Sequence, residues 1–509
     1  ILKMNTNLLL SKIFNKEPSI WGEYLSKKDI NHVMGWLDFP ENLSQYVNDS
    51  KTLINYMQQH GFKSIVLIGM GGSIMAARAL YAIFDKRNIK YPVKFVDTVN
   101  PDDILSITKG ILFKNTFFII SSKSGSTIET LAIDAFIRKS LHDLNLDVSS
   151  HMCAITEKNS PLYLRYKNGE FGLIFTALST FGGRFSALSQ FGLISILCNQ
   201  KNMVNVVEKA THFLNYLKLH PEKNPTINLS SFISNNIRLG KNKLTILNSR
   251  KFNFLSTWIE QLVGESTGKN GRGIIPICGE ILMHPADYGN DRQFVFIDDK
   301  TVHTKTYSKL LERLENRGHP ILKVILDDPL EIGAEFFKWQ FAITLISIEI
   351  GIYPFDQPDV EFSKAKTKKI LETYQHDSLS KLLKTFCHTT KTYNVSSFPQ
   401  TDYVGLISYV SQDTINQKRF EDIRKSITKI YGKSVCFGIG PGYLHSVGQL
   451  FKGGPDNIFI YGFIDIPKED IPVPNQDFTF GQLFLAQALG DFTEMKERGI
   501  PMNIKIRNK

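Results

Sequence analysis

The stretch Phe117–Thr130, FFIISSKSGSTIET, decides the fold class: an apolar run breaks into a hydroxyl-rich loop around Gly125 and then becomes a helix. An apolar segment bounded by turn residues and followed by a helical pattern reads as one strand of a parallel sheet with its crossover helix. In the loop, Ser122, Ser124, Ser126 and Thr127 gather donors around one point. Lys123 adds a positive charge, and the helix that follows turns its first amides the same way. Converging N–H groups, hydroxyls and a helix dipole suit a phosphate. The same serines also suit plain capping of the helix.

An earlier loop of the same kind lies in SIVLIGMGGSIMAARALYAIF, Ser64–Phe84. Strand Ile65–Ile68 ends in Gly69, Gly71 and Gly72, which let backbone approach a ligand, and Ser73 is expected to cap the next helix. The spacing departs from the dinucleotide pattern G-x-G-x-x-G. Two strand–loop–helix cradles in succession carry more weight than either alone.

Working outward, further strands are expected at Val93–Val96, Cys153–Thr156 and Leu173–Thr176, with helical patterns between most of them. A second set follows at Leu244–Asn248, Gly273–Ile277, Phe294–Asp298 and Leu322–Leu326. The polar stretch His388–Asp402 reads as a linker, and YVGLISYV, VCFGIG and IFIYGFI after it point to a third α/β unit. The expectation is an α/β protein with two doubly wound parallel sheets and a smaller C-terminal α/β unit. The expected division is a helical segment over 1–62, domains over 63–235 and 236–390, and the linker with the last unit over 391–509.

A chain of 509 residues can bury several cores. Its formal net charge of +11 suits an anionic substrate. The lysines are scattered and form no basic stripe interleaved with aromatics, which argues against nucleic acid. Cys153, Cys198, Cys278, Cys387 and Cys436 are odd in number and far apart, which fits a reducing cytoplasm and neither a disulfide framework nor a zinc site. The start ILKMNTNLLLSKIF lacks a signal-peptide pattern. With Ile at position 1 an upstream scar or truncation stays open, in which case Met4 would be the expected natural start. The apolar stretch Phe336–Phe355 is interrupted by Lys338, Gln340 and Glu349 and is expected to be a buried helix, not a membrane span.

GMGGS (Gly69–Ser73), SSKSGSTIET (Ser121–Thr130), FGGRFS (Phe181–Ser186), VGESTGKNG (Val263–Gly271) and FDQPDVEFSK (Phe355–Lys364) follow one another along the chain. In this order they resemble the motifs of the glucose-6-phosphate isomerase family, which has the sugar-isomerase fold. The C-terminal GPGYLHSVGQLFKGGP (Gly440–Pro455) and FTFGQLFLAQALGD (Phe478–Asp491) are similar instead to the isomerase portion of bacterial transaldolase/isomerase fusions. These motifs leave no room for a transaldolase barrel of about 250 residues.

The resemblance implies two sugar-isomerase domains and interconversion of an aldose and a ketose phosphate, with neither metal nor other cofactor. That chemistry needs a base, a positive charge near the enediolate oxygen, a phosphate anchor and an acid to open the sugar ring. Glu265, placed where the helical pattern Phe254–Val263 gives way to a glycine-bearing loop, matches the family's catalytic glutamate; a solvated loop glutamate is the plain alternative. Gln261, one turn earlier, would face the same site. The resemblance places Arg184 at the enediolate, and it matches Lys364 to the lysine of substrate binding and ring opening, with Gln357 seven residues before it. Ser122, Lys123, Ser124 and Thr127 would hold the phosphate, with Gly72 and Ser73 contributing.

The chain departs from the family at the ring-opening histidine. The comparable stretch, Asp287–Asp298, has Asp291 near the expected place and no histidine. His284 reads as a loop residue, and His445 is the better substitute, with a structural role as its alternative. The family typically forms homodimers. A non-catalytic sugar-phosphate sensor and an isomerase of another sugar phosphate, such as mannose-6-phosphate, remain open alternatives.

Overall fold

The structure, a computed structural model, describes residues 6–24, 30–84, 89–300, 305–374, 381 and 401–507. Cys387, Met4 and residues 388–400 of the expected linker lie outside them.

Three parallel sheets carry the chain. The first has strands β1 (Ser64–Gly69), β2 (Val93–Val96), β3 (Thr116–Ser121), β4 (Met152–Glu157) and β5 (Leu173–Ala177), in the order β2-β1-β3-β4-β5. The second has β6 (Lys243–Asn248), β7 (Ile275–Ile277), β8 (Arg292–Asp299) and β9 (Ile321–Leu326), in the order β7-β6-β8-β9. The third has β10 (Tyr403–Tyr409), β11 (Ser434–Ile439), β12 (Ile458–Asp465) and β13 (Met502–Arg507), in the order β11-β10-β12-β13. Every ladder between these strands is parallel. Central strands of such sheets are covered on both faces and so run continuously apolar. TFFIIS of β3 and YVGLISY of β10 are buried along their whole length.

The helices that matter to the site are α1 (Met75–Ala82), α2 (Ile128–Asp143), α3 (Asn253–Thr267), α4 (Ile332–Ile350), α5 (Glu361–Tyr374), α6 (Thr414–Tyr431), α7 (Gly448–Gly453) and α8 (Phe480–Glu497). Helix α4 answers the question raised by Phe336–Phe355. It is apolar nearly all round because it is buried nearly all round, its Lys338 is paired with Glu335, and no described helix is long and apolar enough to cross a membrane.

The three units are packed together, not strung apart. One core cluster runs from Leu10 to Phe355 and joins a face of the first sheet to the second unit, including α4. Another joins the opposite face of the first sheet to the third unit through Tyr409, Tyr443 and α8. Helix α3 packs on α1 and α7, and α5 packs on α8. The carboxyl ends of β1 and β3 therefore meet elements from all three units.

Candidate active site

In the first sheet the connections diverge between β1 and β3, the position at which an open parallel sheet forms a crevice beyond its strand ends. Both cradle loops leave the sheet there. Gly71 has φ +52°, and a Cβ on it would lie 2.7 Å from His445 Cβ and 3.2 Å from Gln261 Nε2. A Cβ on Gly72 would fall 2.2 Å from the carbonyl carbon of Gly183. The glycines are thus required by close approach of three other motifs to this loop. Ser73 corrects its expectation: a short 3-10 turn, Gly71–Ser73, comes first, and α1 starts at Met75 behind Ile74 with no side-chain cap. The Ser73 carbonyl instead accepts from Ser121 Oγ at 2.8 Å.

In the second loop Thr127 occupies the cap position of α2 but makes no side-chain cap bond. Its hydroxyl lies 3.1 Å from that of Ser122, which is buried. The capping alternative therefore does not account for these hydroxyls. Ser124 Oγ accepts from Ser126 Oγ at 3.0 Å. Lys123 pairs with Glu157 at the end of β4.

Glu265 departs from the sequence reading. Gly264 does not end the helix; its missing Cβ lets Val447 Cγ1 pack there, and α3 continues to Thr267. Glu265 thus sits in the last turn of a helix, which fixes its direction more firmly than a loop would. Its Oε1 lies 3.0 Å from Arg184 Nη1. Gln261 Nε2 donates to its Oε2 at 3.3 Å and to the His445 carbonyl at 2.7 Å.

Arg184 is only 2% exposed. Besides Glu265 it donates to Ser266 Oγ at 2.9 Å, Gln357 Oε1 at 3.0 Å, and the carbonyls of Pro354 and Asp356 at 2.5 and 2.8 Å. The planar fork of a guanidinium suits such multiple bonding. One side chain thereby ties FGGRFS, the end of α3 and the segment before α5 into one unit. Lys269, a residue of the glycine-bearing loop in the sequence, is buried and bonded to the Tyr353 carbonyl and Asp356. Burial first, and Arg184 next, push its ammonium down to about 8.

His445 Nε2 lies 2.9 Å from Glu129 Oε1. Burial alone would lower the histidine pKa, but the Glu129 carboxylate outweighs it and the net shift is upward; Lys364 lowers it and Glu265 raises it to smaller extents. Glu129, three residues after Ser126, carries the pattern of a capping box, yet its oxygen serves His445 and Gln487 Nε2, the latter at 2.7 Å. Lys364 lies in the first turn of α5, 59% exposed and 2.6 Å from Glu361. It stands close enough to His445 to act on its charge. His284 bonds the Ala286 amide within its own turn, and Asp291 pairs with Lys243, so neither joins this cluster. Among the described residues no group of three or more His, Cys, Asp or Glu side chains is arranged to hold a metal.

The sequence model of the phosphoglucose isomerase family matches residues 41–276, a span that includes both cradle loops, Arg184 and Glu265. A probable glucose-6-phosphate isomerase from Methanococcus maripaludis is 26% identical over 410 residues, covering 73% of this chain and 91% of that protein. The glucose-6-phosphate isomerase of Methanocaldococcus jannaschii is 27% identical over 378 residues, covering 67% and 90%. A solved glucose-6-phosphate isomerase from Chlamydia trachomatis superposes with a TM-score of 0.56 at 18% identity, covering 74% of this chain and 81% of that one. A hypothetical protein from Thermus thermophilus superposes with a TM-score of 0.60 at 22% identity, covering 72% and 95%. Sheet order and these superpositions define a protein of the sugar-isomerase fold. Over residues 41–276 the chain is similar to the phosphoglucose isomerase family.

Proposed function

We propose that the protein interconverts glucose-6-phosphate and fructose-6-phosphate through an enediolate, with Glu265 as the base. The observation that carries this reading is the Glu265 carboxylate, fixed on a helix 3.0 Å from the Arg184 guanidinium beside the His445–Glu129 pair. The relatives in Methanococcus and Methanocaldococcus bear the names of that activity.

The phosphate sits on Ser122, Ser124, Thr127 and the first amides of α2, with Gly72 and Ser73 closing from the other loop. His445, charged through Glu129, gives a proton to the ring oxygen as its bond to the anomeric carbon breaks; the anomeric hydroxyl loses its proton to solvent and becomes the carbonyl, and Lys364 adds positive charge. Glu265 then takes the proton from C2 of the open aldose, or from C1 of the ketose, and returns it to the neighbouring carbon. The electron pair left behind moves onto the carbonyl oxygen, the fixed charge of Arg184 stabilises the enediolate, and the hydroxyl proton passes from one enediolate oxygen to the other, so that the pair collapses to a carbonyl at the neighbouring carbon. Gln261 Oε1 is buried without a partner among the described residues, an acceptor suited to a substrate hydroxyl.

The test is turnover of fructose-6-phosphate by purified protein without added metal. Sustained formation of glucose-6-phosphate is expected. Tight binding without turnover would favour the sensor, and mannose-6-phosphate as product would move the assignment to another hexose phosphate.

Two further outcomes follow from the geometry. Ser122→Ala and Thr127→Ala should each weaken binding of sugar phosphate about tenfold to a hundredfold, the scale of one hydrogen bond to a dianion. Calorimetry checks this, and unchanged affinity in both variants would remove the loop from the site.

The second outcome concerns pH. Because Glu129 holds the His445 pKa up, the protonated ring persists further into the alkaline range. Glu129→Gln should move the alkaline limb of the rate profile on cyclic substrate to lower pH. By the same sign, the stability that the pair gives is complete below the ordinary histidine pKa and fades as pH rises through the raised one. An alkaline limb unmoved in Glu129→Gln would show that this pair does not set the pH dependence.

A further inference from the structure

The C-terminal motifs GPGYLHSVGQLFKGGP and FTFGQLFLAQALGD supply more than His445. Gln487, Asp491 and Glu494 recur along one side of α8, at the spacing that stacks side chains on a helix. Gln487 Nε2 donates at 2.7 Å to the Glu129 oxygen that contacts His445. One turn on, the fully buried Asp491 accepts from the Tyr443 hydroxyl, from Ser363 Oγ at 3.0 Å and from Lys452 Nζ at 2.5 Å. Lys452 Nζ also donates to Ser363 Oγ at 2.8 Å. Glu494 shares the single Ser363 hydroxyl proton with Asp491 and is fastened by Arg498 at 2.9 Å.

These partners occupy telling places. Tyr443 lies two residues before His445 in the same 3-10 turn, and Ser363 immediately precedes Lys364 in the first turn of α5. A buried carboxylate is costly unless it is paired and fully hydrogen-bonded. Apolar side chains could fill this junction of α5, α7 and α8. The charged cluster instead gives direction, because each bond has one geometry.

We propose that Asp491 is a positioning residue for ring opening: through Tyr443 and Ser363 it fixes the turn that carries His445 and the helix start that carries Lys364 in one register. This rests on the reading of His445 as the ring-opening acid. Asp491 reaches none of the reacting atoms in this account. It acts by holding two groups that must converge on the same end of a cyclic substrate, while Glu265 is fastened separately by Arg184 and Gln261.

The test compares a cyclic hexose phosphate with an aldotetrose 4-phosphate, which cannot close a ring because its O4 carries the phosphate. Turnover is read on the first, and exchange of the proton beside the carbonyl on the second. Tyr443→Phe removes one hydroxyl and leaves the Asp491–Lys452 pair in place, so it is the informative variant even where Asp491→Asn does not fold. Tyr443→Phe is expected to lower kcat on the cyclic substrate about tenfold, with KM and open-chain exchange within twofold of the parent. Asp491→Asn, where folded, should show a larger selective loss. His445→Ala is the reference and should show the largest. If His445→Ala is selective but Tyr443→Phe loses equally on both substrates, or on neither, the positioning role is overturned. If His445→Ala itself is not selective, the reading beneath the proposal fails and the proposal fails with it.

Discussion

Glu265→Gln is expected to lower isomerase turnover by about 10⁴ or more, at or beyond the top of the usual range for a general base. Glutamine keeps the size and polarity of the side chain and can still meet Arg184 and Gln261 through its amide, so packing at the end of α3 should persist. It cannot accept the carbon-bound proton. The other carboxylate of the cluster, Glu129, is occupied by His445 and Gln487. Affinity for sugar phosphate should stay within severalfold of the parent, because the cradle loops are untouched. Steady-state kinetics with parallel calorimetry separates the two quantities. A variant retaining a tenth of the parent rate would remove Glu265 as the base.

Arg184→Lys is expected to cost about 10²–10³ in kcat, comparable to the loss of a main oxyanion donor, or about 2.7–4 kcal/mol in the barrier. Charge survives, but a point ammonium cannot reproduce the set of contacts held by a planar fork. Ser266, Gln357 and the carbonyls of Pro354 and Asp356 would lose partners in a site that is almost closed to solvent. The fall in kcat should therefore come with a lower melting temperature, measured by calorimetry. Parent-like kcat together with lowered stability would mean that Arg184 only fastens the loops and does not act on the transition state.

The strands of all three sheets stand out in the sequence because central parallel strands run continuously apolar and end in glycine or hydroxyl turns. Strand β13 does not. Its sequence, MNIKIR, alternates polar and apolar residues, and it forms a sheet edge with Lys505 exposed, a common way to guard an edge. The cradle loops stood out because their glycines mark where backbone must crowd, whereas Arg184 and Glu265 were singled out only by the resemblance of their motifs to a known family. Even so, the glycine at 264 misled about the helix end: it serves close packing by Val447 and not termination.

The partners that complete the site were hidden for a different reason. Glu129 and His445 are 316 residues apart, and a capping-box pattern gives Glu129 a sufficient local explanation. Lys269 looks like any loop lysine until Arg184, Asp356 and the Tyr353 carbonyl surround it. Local sequence shows which residues could do chemistry. Which distant groups tune them depends on how the three units are laid against one another, and no short-range pattern encodes that.

In the proposed reaction Glu265 carries a proton between C1 and C2 through an enediolate. Conversion of fructose-6-phosphate in deuterated water, followed by NMR at C2 of the aldose formed, tests it most directly. Deuterium should enter C2 with the parent enzyme, and both isomerisation and exchange should disappear together in Glu265→Gln. Isomerisation by Glu265→Gln at near-parent rate, with C2 carrying only the hydrogen inherited from C1, would exclude Glu265 as the carrier of that proton.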